Sequence, residues 1–196
     1  MKILIDNGHG IETPGKRSPV WPDGSQLFEW KYTREIALRV ETELRKQGID
    51  VERIVKENTD IPLSERCKRA NAIAAKVGVK NCLLVSIHNN AATGRAIGWE
   101  IHTYLGKSKS DEYATIFWNE AKTILPVGTK MRGDWTDGDA DWDSNFAILR
   151  DTKCEAVLTE NLFMDNPEDC RYLLSNEGKE AIVKIHVQSI LKIVGK

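Results

Sequence analysis

Several stretches of this chain are apolar at nearly every position instead of at alternate ones, which restricts it to folds whose strands are covered on both faces. Residues 82–87 (CLLVSI) are the clearest case, and residues 3–6, closed by Asn7-Gly8, are a second. Strands are also read at residues 49–55, 146–149 and 156–159, and, with alternation, at 98–105. Between them the spacing turns helical. Ile36, Ala37, Val40 and Leu44 mark an amphipathic helix within about residues 28–47, with Gly48 as its stop. Residues 62–75, entered through Pro62, residues 110–125, capped by Ser110, and residues 166–174 and 182–194 read as further helices. The alternation predicts an α/β fold: a single domain with a mostly parallel or mixed central sheet of about six strands, flanked by helices on both faces.

A chain of 196 residues with 41% hydrophobic composition can bury roughly 70% of the surface it exposes when unfolded. It needs neither metal nor disulfide merely to fold, so a metal site in it would serve chemistry. The 28 Lys and Arg against 29 Asp and Glu give a net charge of −1, which offers no electrostatic case for nucleic acid or an anionic membrane. Cys67, Cys82, Cys154 and Cys170 form no C-x-x-C pair and read as reduced, partly buried thiols. The opening MKILIDNG is too short for a signal h-region, and no stretch approaches a membrane span, so cytoplasmic synthesis without a signal peptide is expected.

In open α/β sheets, sites form beyond the carboxyl ends of the strands. Gly8-His9-Gly10 follows the first strand, His88 follows the third, and Glu160 ends the sixth. The glycines beside His9 are expected to let the backbone turn and expose the imidazole. Two imidazoles and a carboxylate with an open fourth position form the ligand set of a hydrolytic zinc site, and a further carboxylate would then serve as general base. Two glutamates compete as the ligand. Glu12 lies three residues after His9, and Glu29 opens the long helix.

Asp6-Asn7-Gly8-His9-Gly10, Glu29 at a helix start, Ser86-Ile87-His88-Asn89-Asn90-Ala91 and the segment 156–166 around Leu158-Thr159-Glu160-Asn161 occur in one order across nearly the whole chain. In this it resembles the zinc-dependent N-acetylmuramoyl-L-alanine amidases of the Amidase_3 type; Leu63-Ser64-Glu65-Arg66 followed by Ala70-Asn71 fits the middle helix of that family. The resemblance implies a zinc ion (Zn2+) held by His9, Glu29 and His88, and Glu160 as the catalytic base. It implies cleavage of the amide between the lactyl group of N-acetylmuramic acid and the L-alanine of the peptidoglycan stem. Asn7, Ile11 and Thr33 stand where the family usually has proline, glycine and asparagine; these departures bear on loop shape, not on the ligands.

Asn90 and Arg150 are expected to meet substrate, with Arg132 as a further guanidinium for the acidic stem peptide. Against a catalytic Glu160 stands a buried carboxylate paired with Arg150 or Arg66. His102 and His186 read as structural. Residues 126–145 hold Trp135, Trp142 and five aspartates, and a segment of this length reads as a functional rim or flap. Asp139, Asp141, Asp143 and Asn145 have the spacing of a calcium loop but lack its glycine and bidentate glutamate, so a solvated acidic flap is expected. Residues 1–196 are expected to be one catalytic domain with no separate wall-binding domain, acting as a monomer on the cell wall after release or export. Such a chain resembles a phage lysin or, equally, a host enzyme whose leader has been removed. Two rival readings are a zinc carboxypeptidase-like enzyme using His9, Glu12 and His88, and a non-catalytic wall-binding module.

Overall fold

The apolar runs at the two ends of the chain meet at its centre. The computed structural model describes residues 1–196, and in it β1 (Lys2–Asn7), β3 (Cys82–Asn90) and β6 (Glu155–Phe163) lie side by side, all parallel. With β2 (Val51–Arg53), β4 (Glu100–Thr103) and β5 (Trp142–Asp143) they form one six-stranded sheet in the order β2-β1-β3-β6-β4-β5. Only the β4–β6 pairing is antiparallel, so the sheet is mixed, as expected.

Side-chain parity divides the core in two. Ile3, Ile5, Leu83, Val85, Ile87 and Val157 face α1 (Glu29–Lys46), α3 (Lys109–Ile124) and α6 (Asn176–Ile193). Leu4, Leu84, Ala156 and Leu158 face α2 (Leu63–Val77) and the single turn α4 (Ala147–Arg150). Helices thus cover both faces, and the central strands are apolar throughout because each side has its own core. The short α5 (Pro167–Leu174) follows β6 and is capped by Asn166, whose side chain accepts from the amides of Glu168 and Asp169. All four cysteines are buried and unpaired.

Two local expectations are corrected. Residues 146–149 form a helical turn, not a strand: the amides of Leu149 and Arg150 both bond to the Phe146 carbonyl. That turn buries the adjacent Ile148 and Leu149 together, which a strand would send to opposite faces; the sheet position goes to β5 instead. Helix α3 is capped by Ser108 and not by Ser110, in a box closed by Asp111. Ser110 turns inward and donates to Glu155 at 2.7 Å.

His186 is structural, as expected. Its Nδ1 lies 2.7 Å from the Ile182 carbonyl and its Nε2 2.9 Å from the Thr159 hydroxyl. A carbonyl only accepts, so the proton sits on Nδ1 and Nε2 accepts from Thr159. Burial lowers this imidazole from the usual 6.5 to about 4. The folded state therefore binds fewer protons than the unfolded chain between these values. His186 contributes stability in full above pH 6.5, and it is lost as pH falls toward 4, roughly 3 kcal/mol in all. Urea unfolding at a series of pH values should show that slope in the wild type and a flatter one in His186→Gln; equal slopes would exclude His186 as the source.

Candidate metal centre and its catalytic edge

His9 leaves β1 in a left-handed conformation, φ 63°, which costs a non-glycine residue about 1–3 kcal/mol. Two guanidinium groups hold it there. Arg34 and Arg66 each donate from Nη2 to the His9 carbonyl at 2.9 Å. Arg66 is anchored in turn by Asp6 Oδ1 at 2.8 Å and the Asn7 carbonyl at 2.6 Å, while Ser86 donates to Asp6 Oδ2 at 2.7 Å. The middle-helix arginine thus fixes the first loop.

The flanking glycines act differently from expectation, because neither has a positive φ. A Cβ on Gly8 would stand 2.4 Å from His88 Cε1 and 2.5 Å from its Nδ1, and one on Gly10 would stand 2.1 Å from the Asp60 amide nitrogen. What they allow is close approach. Gly8→Ala should therefore push the His88 ring aside and lower turnover by about 10²-fold, the scale of a misplacement near 1 Å. Gly15→Ala, with φ +74° and open space around it, should lose about 1–2 kcal/mol of stability and leave turnover unchanged. Turnover and melting temperature measured on both variants decide this; an active Gly8→Ala protein would refute it.

Glu29, the first residue of α1 and 1% exposed, lies between the two imidazoles. Its Oε2 is 3.3 Å from His9 Nε2, and its Oε1 is 3.2 Å from His88 Nδ1 and accepts from the Asn89 amide at 3.0 Å. One donor atom from each of His9, Glu29 and His88 lies within 4.8 Å of the others. The rings stand edge to face, 87° apart. Glu29 Oε2 is buried without a hydrogen bond, an orphan that a cation between the three donors would satisfy. Two nitrogens and one carboxylate oxygen suit a borderline-soft divalent ion. Burial opposes ionisation of Glu29, but the His88 imidazole hydrogen-bonded to Oε1 and the nearby His9 imidazole outweigh that and hold it well below the usual carboxylate range. For His88, burial is overcome by Glu29, and its value is raised. Glu12 is not in this group; its Oε2 accepts from the Asp60 amide at 2.8 Å.

Glu160 sits beside His88 in register across β3 and β6, with Glu100 of β4 on its other side, so the three share one face of the sheet. A bulge follows, with the register slipping between His88 and Asn90 and Leu162 at φ 63°. Such bulges re-aim side chains at sheet ends. Asn161 in the bulge donates to the His88 carbonyl at 2.9 Å and accepts from Trp99 Nε1 at 2.9 Å. Glu160 Oε2 is buried and has no partner. Arg66 is held by Asp6, and Arg150 by Asp151 at 2.8 and 2.9 Å and Asn145 at 3.1 Å, so neither pairs with Glu160. Burial pushes the Glu160 carboxyl up to about 8; His88 opposes this, and Glu29 and Glu100 add to it.

Asn90 is at the site: its Nδ2 donates to Glu100 Oε2 at 3.0 Å. Arg150 makes its side-chain contacts with Asp151 and Asn145 and none with the two histidines, Glu29, Glu100 or Glu160. The guanidinium at this edge belongs to Arg132, whose Nε donates to Glu100 Oε1 while its Cζ lies 5.1 Å from the centre of the Phe163 ring. Neither Nη1 nor Nη2 of Arg132 has a protein partner. Glu100 was not a site residue from sequence, because only the β4–β6 register sets it opposite Glu160.

The family model described as Amidase_3, N-acetylmuramoyl-L-alanine amidase, matches residues 3–192. The chain belongs to the Amidase_3 family. This amidase is 28% identical over 192 residues to the sporulation-specific N-acetylmuramoyl-L-alanine amidase of Bacillus subtilis (strain 168), across 97% of this chain and 67% of that protein. It is 28% identical over 198 residues to the endolysin of Bacillus phage SPP1, across 98% of this chain and 65% of the endolysin. The chain thus spans about two thirds of the length of each. Its fold matches the crystal structure of an N-acetylmuramoyl-L-alanine amidase from Clostridium difficile 630 with a TM-score of 0.82 at 26% identity, covering 100% of this chain and 97% of that one. It is an amide hydrolase of peptidoglycan. The matched span includes the two histidines, Glu29 and Glu160.

Proposed function

We propose that the metal of this amidase is zinc, held by His9, Glu29 and His88, and that Glu160 is the base that drives cleavage of the lactyl–L-alanine amide. The observation that carries this is the orphan Oε2 of buried Glu29 between two imidazoles, with Glu160 in register beside one of them. A bound zinc would supply Lewis-acid polarisation of the scissile carbonyl and acidify the attacking water. The protein does the rest. Glu160, with an unpartnered oxygen beside His88, takes the proton of the attacking water and passes it to the departing amine of L-alanine. Asn89 and Asn161 hold the β3 end that presents His88.

Asn90 and Arg132 border this edge, and the free fork of Arg132 fits a carboxylate of the stem peptide. Arg132→Ala should raise KM severalfold with kcat little changed, and Arg150→Ala should leave both; the reverse pattern would restore Arg150 as the substrate residue. His9, Glu29, His88 and Glu160 come from one chain, which we read as a monomer acting on cell wall that it reaches after release or export. No helix is long and apolar enough to cross a membrane.

Mass spectrometry of purified sacculi digested by the zinc-loaded protein tests the reading. A free stem peptide beginning with L-alanine is expected. Release of single terminal residues would favour the carboxypeptidase reading, and binding without new amino termini would favour the wall-binding module.

A further inference from the structure

The loop that leads into Glu29 and the helix α5 that follows β6 meet around a cavity of about 660 Å³, within the size range of small-molecule sites. Trp21 forms one wall. Its indole packs partly against the core of α1, α3 and α6, and its Nε1 donates to Cys170 Sγ at 3.2 Å, so the ring is held in place. Pro22 and Pro167, each with a fixed φ, stiffen the same lining. Two opposite charges complete it without meeting: no hydrogen bond or ion pair links Arg171 to Asp23, and the Arg171 guanidinium has no protein partner. Asp23 is oriented by Ser25, whose amide and hydroxyl donate to Oδ1 at 2.9 and 2.6 Å. These bonds hold Asp23 below the usual carboxylate range, and Arg171 adds to that.

We propose that this cavity is a glycan subsite, taking an N-acetylated sugar of the strand next to the muramic acid whose amide is cut. A pyranose ring has an apolar face of C–H groups that lies on an aromatic ring. The hydroxyls at its rim suit a carboxylate acceptor and a guanidinium fork. Trp21, Asp23 and Arg171 supply that set, and their opposite charges cancel, which suits an uncharged sugar better than the acidic stem peptide. Position favours the same occupant. Ser25 lies four residues before Glu29, so that wall of the cavity is within about 14 Å of the metal centre. It is also on the other face of the sheet from the base. Trp21, Cys170 and Leu173 belong to the core of α1, α3 and α6, whereas Glu160 continues the row of Ala156 and Leu158, which face α2. Glu160 protonates the departing amine, so the peptide leaves on its side and the sugar half of the amide points away, toward Trp21. That direction rests on Glu160 as the base; the chemistry of the cavity does not depend on it.

The tetramer of β-1,4-linked N-acetylglucosamine, a glycan without peptide, should bind the wild type in a calorimetric titration with Kd on the order of 1 mM. Arg171→Ala and Asp23→Ala, both at exposed side chains, should each weaken that binding about tenfold, the scale of one hydrogen bond to a charged group. On sacculi, each should lower kcat/KM about tenfold more than on a muramoyl-peptide with a single sugar, which cannot reach the cavity. Glu160→Gln should bind the tetramer as the wild type does. If Glu160→Gln keeps its activity while the tetramer binds as stated, the subsite stands and only the assignment of the base falls. No heat from the wild type at about 10 mM tetramer, well above the expected Kd, overturns the proposal. So does undiminished binding by both alanine variants, or an equal loss on sacculi and on the single-sugar substrate. Binding of a free stem peptide in place of the tetramer would overturn it too, and give the cavity to the peptide.

Discussion

Glu160→Gln is expected to fold, to keep its metal, and to release stem peptide about 10³-fold more slowly than the wild type, within the usual range for loss of a general base. The substitution keeps the shape of the side chain. It breaks no hydrogen bond at Oε2, which has none, and it replaces a carboxyl whose ionisation burial already disfavours, so the melting temperature should hold or rise. What disappears is the acceptor for the proton of the attacking water. A 10³-fold loss corresponds to about 4 kcal/mol of transition-state stabilisation. Glu100 cannot take over, although it lies opposite Glu160 in the next strand. Its Oε1 is occupied by Arg132, and its Oε2 by Asn90 at 3.0 Å with His102 Nε2 at 3.4 Å. Those contacts hold Glu100 below the usual carboxylate range against the opposing effect of burial, leaving a weak base. Rates on purified sacculi, measured beside zinc content, test the assignment. Activity within tenfold of wild type, or loss of zinc, would remove Glu160 from the role of base.

Where the chain writes its structure in local pattern, the pattern was readable. Residues 82–87 are apolar because cores lie on both sides of β3, and the helical spacing of Ile36, Ala37, Val40 and Leu44 follows from the buried face of α1. His9, His88 and Glu160 could be placed on one edge because strand ends and chain order suffice for that. Choosing Glu29 over Glu12 needed the family resemblance, since helical spacing does not say which way a first-turn carboxylate turns. Long-range register was not readable. Glu100 and Arg132 border Glu160 only through β4 pairing with β6, and the helical turn that ends in Arg150 pairs its guanidinium with Asp151 and Asn145. Nothing in the spacing of Asp139, Asp141 and Asp143 says that Asp141 would be enclosed by Thr103 and α3. The strained φ of His9 is likewise tertiary, imposed by Arg34 and Arg66, which come from two different helices.

Glu29→Gln should lower zinc affinity by more than the 10–100-fold typical of losing a residue that merely orients a ligand, whereas Glu12→Gln should bind zinc as the wild type does. The carboxylate supplies the only negative charge among the three donors. An amide in its place would also turn one N–H₂ group toward ring nitrogens that must present lone pairs to the metal. The Asn89 amide, now 3.0 Å from Oε1, can still be met by the Gln carbonyl, so the fold should survive and the loss should be specific to metal. Glu12 lies on the Asp60 amide, and its replacement disturbs only a loop contact. Two measurements decide the matter: zinc per chain after gel filtration, and the rise in melting temperature on adding zinc, which follows directly from binding to the folded state. Wild type and Glu12→Gln should both show about one zinc and a clear rise, and Glu29→Gln should show neither. If Glu12→Gln loses the metal while Glu29→Gln keeps it, the centre is built on the wrong glutamate and the carboxypeptidase arrangement of His9, Glu12 and His88 takes its place.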